Sequence, residues 1–104
     1  IFSPMLHTVN KSPFTSTSLE TCFGLAVSGS DILMIEDGVY GAINGTAVTP
    51  IVAKAMDVCQ IYVLGPDIDA RGIEADKLIS GIKRIDYDGF VELAVRNQKV
   101  QSWF

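Results

Sequence analysis

The chain has 104 residues, twelve acids against eight bases for a net charge of −4, 48% hydrophobic residues and a mean hydropathy of +0.31. That length accommodates one domain and not two that each bury a core, and its best apolar runs, Ile32 to Ile35 and Ile61 to Leu64, are strand-sized where a membrane-spanning helix needs roughly 20 residues. Its bases are scattered, which argues against autonomous nucleic-acid binding; its two cysteines, Cys22 and Cys59, form no CxxC or Cys/His cluster, which argues against a zinc or iron–sulfur site.

Free thiols without a disulfide framework point to the cytoplasm. The apolar excess, large for so small a domain, suggests that a partner covers part of the surface. Ile1 to Pro4 precede Met5 and are too short and uncharged for a secretory signal peptide; they read as an expression remnant or native overhang, which leaves 5–104 as the domain.

In chain order, Leu6 to Val9 reads as a first strand, closed by the turn-forming Asn10-Lys11-Ser12-Pro13. Thr17 and Glu20 are spaced as a capping box, and a helix from Ser18 to about Val27 follows. Leu19, Cys22, Phe23 and Ala26 fall at i, i+3, i+4 and i+7, an apolar stripe for the sheet. Asp31 introduces a central strand, Ile32 to Ile35, apolar on both faces, and Glu36-Asp37-Gly38 closes it. Gly38 to Ile43 reads as a short helix, and Thr49-Pro50 opens another through about Met56. Val58 to Leu64 is a third strand, turned by Gly65-Pro66-Asp67. Helical turns at Ile68 to Arg71 and Glu74 to Ser80 precede a short strand, Ile82 to Ile85. A helical stripe through Phe90, Val91, Ala94 and Val95 runs to about Asn97, and Val100 to Phe104 adds an edge strand. The alternation predicts an α/β fold, a single three-layer domain whose mainly parallel sheet of about four to five strands is flanked by helices.

In such sheets reacting groups gather beyond the carboxyl ends of the strands, a rim that here collects Asn10, Lys11, Ser12, Glu36, Asp37, Gly65 and Asp67. A magnesium-dependent phosphoryl acceptor would also place acids and a lysine there, but with its acids after the first strand and its lysine late in the chain, the reverse of this order. The glycines match neither GxGxxG nor GxxxxGK[ST], so nucleotide binding has no support. His7, the single histidine, sits inside the first strand with no nucleophile-elbow sequence nearby and reads as a structurally hydrogen-bonded side chain. Cys22 has nucleophilic potential, yet it lies beyond the first helical turn and on the apolar stripe, where spacing alone favours core packing. Cys59, in an apolar strand, reads as structural. Ser12-Pro13 reads as turn chemistry, and Gly38 as a source of backbone freedom beside a carboxylate that caps a helix.

Three stretches in order, Leu6-His7-Thr8-Val9-Asn10-Lys11-Ser12-Pro13-Phe14, then Glu36-Asp37-Gly38-Val39-Tyr40, then Tyr62-Val63-Leu64 through Asp67 to Ala70-Arg71-Gly72, together with the ending Val100-Gln101-Ser102-Trp103, resemble the TusB/DsrH family from Met5 to the last residues. The resemblance implies a subunit of a cytoplasmic sulfur-relay complex. Its partners would be TusC/DsrF-like and TusD/DsrE-like paralogues in a heterohexamer, a dimer of trimers, with a TusE/DsrC-like protein as downstream acceptor. Such complexes pass persulfide sulfur toward 2-thiouridine at the tRNA wobble position or serve intracellular sulfur oxidation. Thiol–persulfide exchange needs no metal or organic cofactor. Cys22 matches a cysteine of DsrH-like members, which makes it the candidate persulfide carrier. Because the main sulfur-carrying cysteine of the family lies on the TusD/DsrE-like subunit, a non-catalytic scaffold is the alternative. The resemblance leaves His7, Asn10, Lys11, Ser12, Glu36, Asp37 and Gly38 either to shape a thiol pocket or to fix loops and subunit contacts. Trp103 and Phe104 read as interface residues.

Overall fold

Five short strands pair side by side, the inner three largely apolar and the outer two more polar: β1 (Leu6–Val9), β2 (Asp31–Met34), β3 (Gln60–Leu64), β4 (Lys83–Ile85) and β5 (Val100–Trp103). The computed structural model describes residues 4–97 and 99–103; the expectations for residues 1–3 and for Phe104 lie outside them. All four pairings are parallel, in the order β4-β3-β2-β1-β5. The central strands β1 and β2 are buried at every position, as a parallel sheet covered on both faces requires. The last expected strand is indeed an edge, and it lies beside β1.

Four α-helices connect and cover the strands: α1 (Ser18–Leu25), α2 (Thr49–Ala55), α3 (Gly65–Ala70) and α4 (Tyr87–Asn97). A 3-10 helix over Glu36–Ala42 and a 3-10 turn at Ala75–Lys77 complete the layers. The expected α1 stripe faces the core, with Leu19 and Cys22 buried and Phe23 and Ala26 packed against them. Val9, Ile32, Met34, Ile61 and Val63 line this side of the sheet with Val39, Val52 and Ile68. Leu6, Leu33, Tyr62 and Leu64 line the other side and meet Leu93 of α4, flanked by Phe90 and Ala94.

Three expectations are corrected and a fourth is met in part. Thr17 makes no side-chain cap on α1; the Ser16 hydroxyl accepts the Ser18 N–H at 3.2 Å instead. Gly65-Pro66-Asp67 does not turn the chain away from β3 but opens α3 directly, since proline's fixed φ suits a first helical turn as well as a bend. The helical turn expected within Glu74 to Ser80 is present only as the 3-10 turn at Ala75–Lys77, and the segment does not continue as a helix. There Asn44 N–H donates to Lys77 C=O and Ile79 N–H to Ala42 C=O, both at 2.8 Å, and Leu78 bridges Ile43 antiparallel. Backbone pairing between distant segments thus takes the groups a helix would use internally. Finally, the segment after β2 is a 3-10 helix that begins at Glu36, two residues before the expected start.

Candidate functional site

The carboxyl ends of β1, β2 and β3 meet on one rim, and Gly38 is the piece that closes it. A Cβ on Gly38 would collide with the Val9 carbonyl, and it would sit 3.5 Å from Asn10 Cα. Gly38 is needed for this close approach and not for backbone freedom. The left-handed conformation belongs to Glu36, a non-glycine residue at φ 50°. That backbone is held in place by Asp67, whose Oδ2 accepts the Glu36 N–H at 2.7 Å.

Beside it, Arg71 Nε and Nη2 both donate to Asp37 Oδ1, at 3.1 and 2.9 Å, while Nη1 donates to the Asp67 carbonyl at 3.2 Å. One arginine from the end of α3 thus ties the β2 loop to the start of α3. Neither acid of the 3-10 helix caps it through a side-chain hydrogen bond. The expected carboxylate cap is replaced by this cross-loop pair. Arg71 was absent from the sequence-based site. The legible signal was its i,i+4 spacing from Asp67 on one helix, which brings Nη1 within 3.8 Å of Asp67 Oδ1.

The remaining rim residues occupy distinct settings. Lys11 is exposed. The Ser12 hydroxyl accepts the Phe14 N–H at 3.2 Å and its carbonyl accepts from the Thr15 and Ser16 amides, which is the expected turn chemistry. Asn10 is half-buried and its Oδ1 is shielded from solvent without a hydrogen-bond partner among the described residues. Among those residues no three His, Cys, Asp or Glu side chains are grouped to hold a metal ion. A cleft of about 520 Å³ continues the rim past β3 and β4. It is crossed by the Arg84–Asp69 ion pair at 2.6 Å.

His7 is not on this rim. It lies within β1, buried, with Nδ1 accepting the Trp103 indole N–H at 3.1 Å, so its neutral ring carries the proton on Nε2. Burial holds its pKa below the ordinary 6.5.

Cys22 is also away from the rim, in the core between α1 and the sheet, and fully buried. Desolvation, reinforced by Cys59, pushes its thiol up to about 12. Cys59 is buried too, its Sγ 3.7 Å from the Val27 carbonyl. Its pKa is raised chiefly by desolvation, against a lowering hydrogen bond from the Ser30 backbone and a further raising by Asp31. Both are free thiols in settings that suppress the thiolate.

A family model described as DsrH like protein matches residues 11–100. Protein TusB of Erwinia tasmaniensis is 36% identical over 99 residues, covering 95% of this chain and 100% of that protein. Protein TusB of Photorhabdus laumondii is 35% identical over 101 residues with the same coverage. Among solved structures, the MTH1491 protein of unknown function from Methanobacterium thermoautotrophicum superposes with a TM-score of 0.77 at 10% identity, covering 98% of this chain and 99% of that one. The ychN protein from E. coli gives 0.76 at 16% identity, covering 96% and 99%. The two structures establish a shared fold, and with the sequence matches spanning nearly the whole chain, the protein belongs to the DsrH-like family that includes the TusB proteins.

Proposed function

We propose that the chain is a subunit of a sulfur-relay complex and acts there as the scaffold that positions a sulfur-carrying paralogue. Family membership supports the relay assignment, and the setting of Cys22 carries the scaffold role. Persulfide exchange requires a thiolate to reach the outer sulfur of a donor. A fully buried thiol whose pKa is pushed up to about 12 offers neither access nor charge at neutral pH.

The rim supplies what a scaffold needs. Asn10, Lys11, Ser12, Glu36, Asp37 and Gly38 stand at the ends of adjacent strands, and Asp67 and Arg71 cross-link their loops. Of these, Lys11, Glu36 and Asp37 are exposed and offer a polar surface to TusD/DsrE-like and TusC/DsrF-like neighbours and to a TusE/DsrC-like acceptor, while Asn10, Ser12 and Gly38 hold the loops that carry them. Those neighbours, in the cytoplasm, would determine whether sulfur goes to wobble 2-thiouridine or to sulfur oxidation. His7 supports the surface from inside β1.

The test is intact-mass spectrometry of the chain assembled with its paralogues after exposure to a persulfidated donor, run beside Cys22→Ser. We expect no added sulfur on this chain, and relay unchanged in the variant. One added sulfur that disappears in Cys22→Ser would make Cys22 the carrier and overturn the scaffold role.

A further inference from the structure

The two edges of the sheet are protected differently. β4 ends one side and carries Lys83 and Arg84, both exposed, the charged blunting that keeps an edge from pairing with another chain. β5 ends the other side with Val100-Gln101-Ser102-Trp103. It has no charge and no proline, and it is as long as β1 and β2.

The outward hydrogen-bonding groups of β5 follow from its pairing with β1. Leu6 N–H donates to Lys99 C=O at 3.1 Å and Asn10 N–H to Trp103 C=O at 3.5 Å, in a parallel register of Leu6 with Val100 and Val9 with Trp103. In that ladder Lys99, Gln101 and Trp103 turn their main chain to β1, and Val100 and Ser102 turn theirs outward. Among the described residues, the outward carbonyl of Ser102 meets only the Gln101 side-chain amide, at 3.2 Å. Val100 is 48% exposed, and its register partner Leu6 lies in the cluster that α4 covers. On α4, Val91 and Val95 are 60% and 73% exposed.

We infer that β5 is an interface strand and that its occupant is β5 of a second copy of this chain, joined antiparallel across a two-fold axis. The strand is self-complementary in that arrangement. With the axis at Gln101, the N–H and C=O of Val100 face those of Ser102 in the second copy, and the reverse, giving about four main-chain hydrogen bonds. The local Gln101 bond is displaced. The two sheets then run as one, and the uncharged strand brings no like charge to the axis. The pairing follows from the register of β5 and does not rest on the route sulfur takes.

The test is sedimentation velocity of the full chain over a concentration series, with amide hydrogen exchange on the same samples. The expected result is a concentration-dependent dimer in which Val100 and Ser102 amides slow by at least about tenfold while Lys83 and Arg84 do not. Val100→Pro removes an outward donor at the first strand position, where proline is tolerated. Val100→Lys keeps the donor and adds the charge that β4 uses. Each should weaken the dimer by at least about tenfold while circular dichroism and emission from Trp103, the single tryptophan, stay as in the parent.

A chain that stays monomeric at high concentration overturns the pairing. So does a folded Val100→Lys dimer of parental affinity, or protection at Val100 and Ser102 that arises only when a paralogous chain is added. In that last case the subunit reading stands and only the occupant is wrong, whereas failure of the chain to join its paralogues would sink the subunit reading.

Discussion

The two faces of the sheet are secured by different means. On the face of α1, α2 and α3, an extensive apolar cluster closes over Ile32, Ile61 and Val63 and takes in both cysteines. On the face of α4, a smaller cluster around Leu33 is supplemented by a polar tie. Asp31 Oδ2 accepts from Arg96 at 2.7 Å and from Asn97 at 2.9 Å, and Arg96 also donates to the Tyr62 hydroxyl at 3.3 Å. Area removed from water stabilises in proportion to its extent. A single helix offers less of it, so the end of α4 is fixed by charge-assisted hydrogen bonds.

Adjacent positions on β2 test the contrast most strongly. Ile32 and Leu33 are both fully buried, in opposite clusters. Truncation to alanine should cost each about 2–5 kcal/mol in urea unfolding. Ile32→Ala should fall near the upper end, because the surrounding helices and loops leave the cavity little room to collapse. Leu33→Ala should fall near the lower end, because one helix can settle inward. Equal losses would mean that α4 is as rigidly held as the opposite layer.

The polar tie comes next. Asp31→Ala deprives Arg96 and Asn97 of their shared acceptor, and it should cost about 1–3 kcal/mol. The side chain of Arg96 is 61% exposed and can return to water, which keeps the loss moderate. Amide exchange should accelerate at the end of α4 and not in α1. Uniform acceleration in both helices would break the assignment of Asp31 to one face.

Much of this architecture was legible in the sequence. The α1 stripe and the apolar runs of β2 and β3 each bury in the manner their periodicity requires. What escaped was decided between distant segments. The 74–80 segment gives its main chain to Ala42, Ile43 and Asn44, and no local propensity records that. Asp31 looked like a strand opener because its partners lie on α4. Asn10, Lys11, Glu36, Asp37, Gly65 and Asp67 follow the ends of β1, β2 and β3 because the apolar runs alone mark where those strands stop, and His7 lies inside β1 as its place in the first run requires. The spacing of Arg71 from Asp67 was legible as an i,i+4 pair, but its reach to Asp37, 34 residues away, is set only by folding.

pH probes the α1 face through His7. Burial lowers its folded pKa below 6.5, so the unfolded chain takes up the proton first as pH falls. The contribution of neutral His7 is therefore complete above about pH 6.5 and is lost progressively below it, toward the lowered folded value. Protonation also puts a donor on Nδ1, facing the Trp103 indole N–H. Urea midpoints should decline from pH 7.5 to 5.5, with a shift in Trp103 emission, and His7→Gln should flatten that decline. An unchanged slope in the variant would assign the pH dependence to other groups.

The smallest expected effect is at the rim, where strain and stability can be separated. Glu36 holds a left-handed backbone that costs a residue with a side chain about 1–2 kcal/mol. Part of the relief that glycine offers is offset by the greater freedom it gives the unfolded chain. Glu36→Gly should therefore stabilise the protein slightly, by up to about 1 kcal/mol, and leave the Asp67 contact intact because that bond uses the Glu36 main-chain N–H. A loss of stability would show that the Glu36 carboxylate contributes to the fold. A gain accompanied by weaker association with the paralogous subunits would show the opposite division of labour: the strained residue is kept at the strand end for the neighbour it meets.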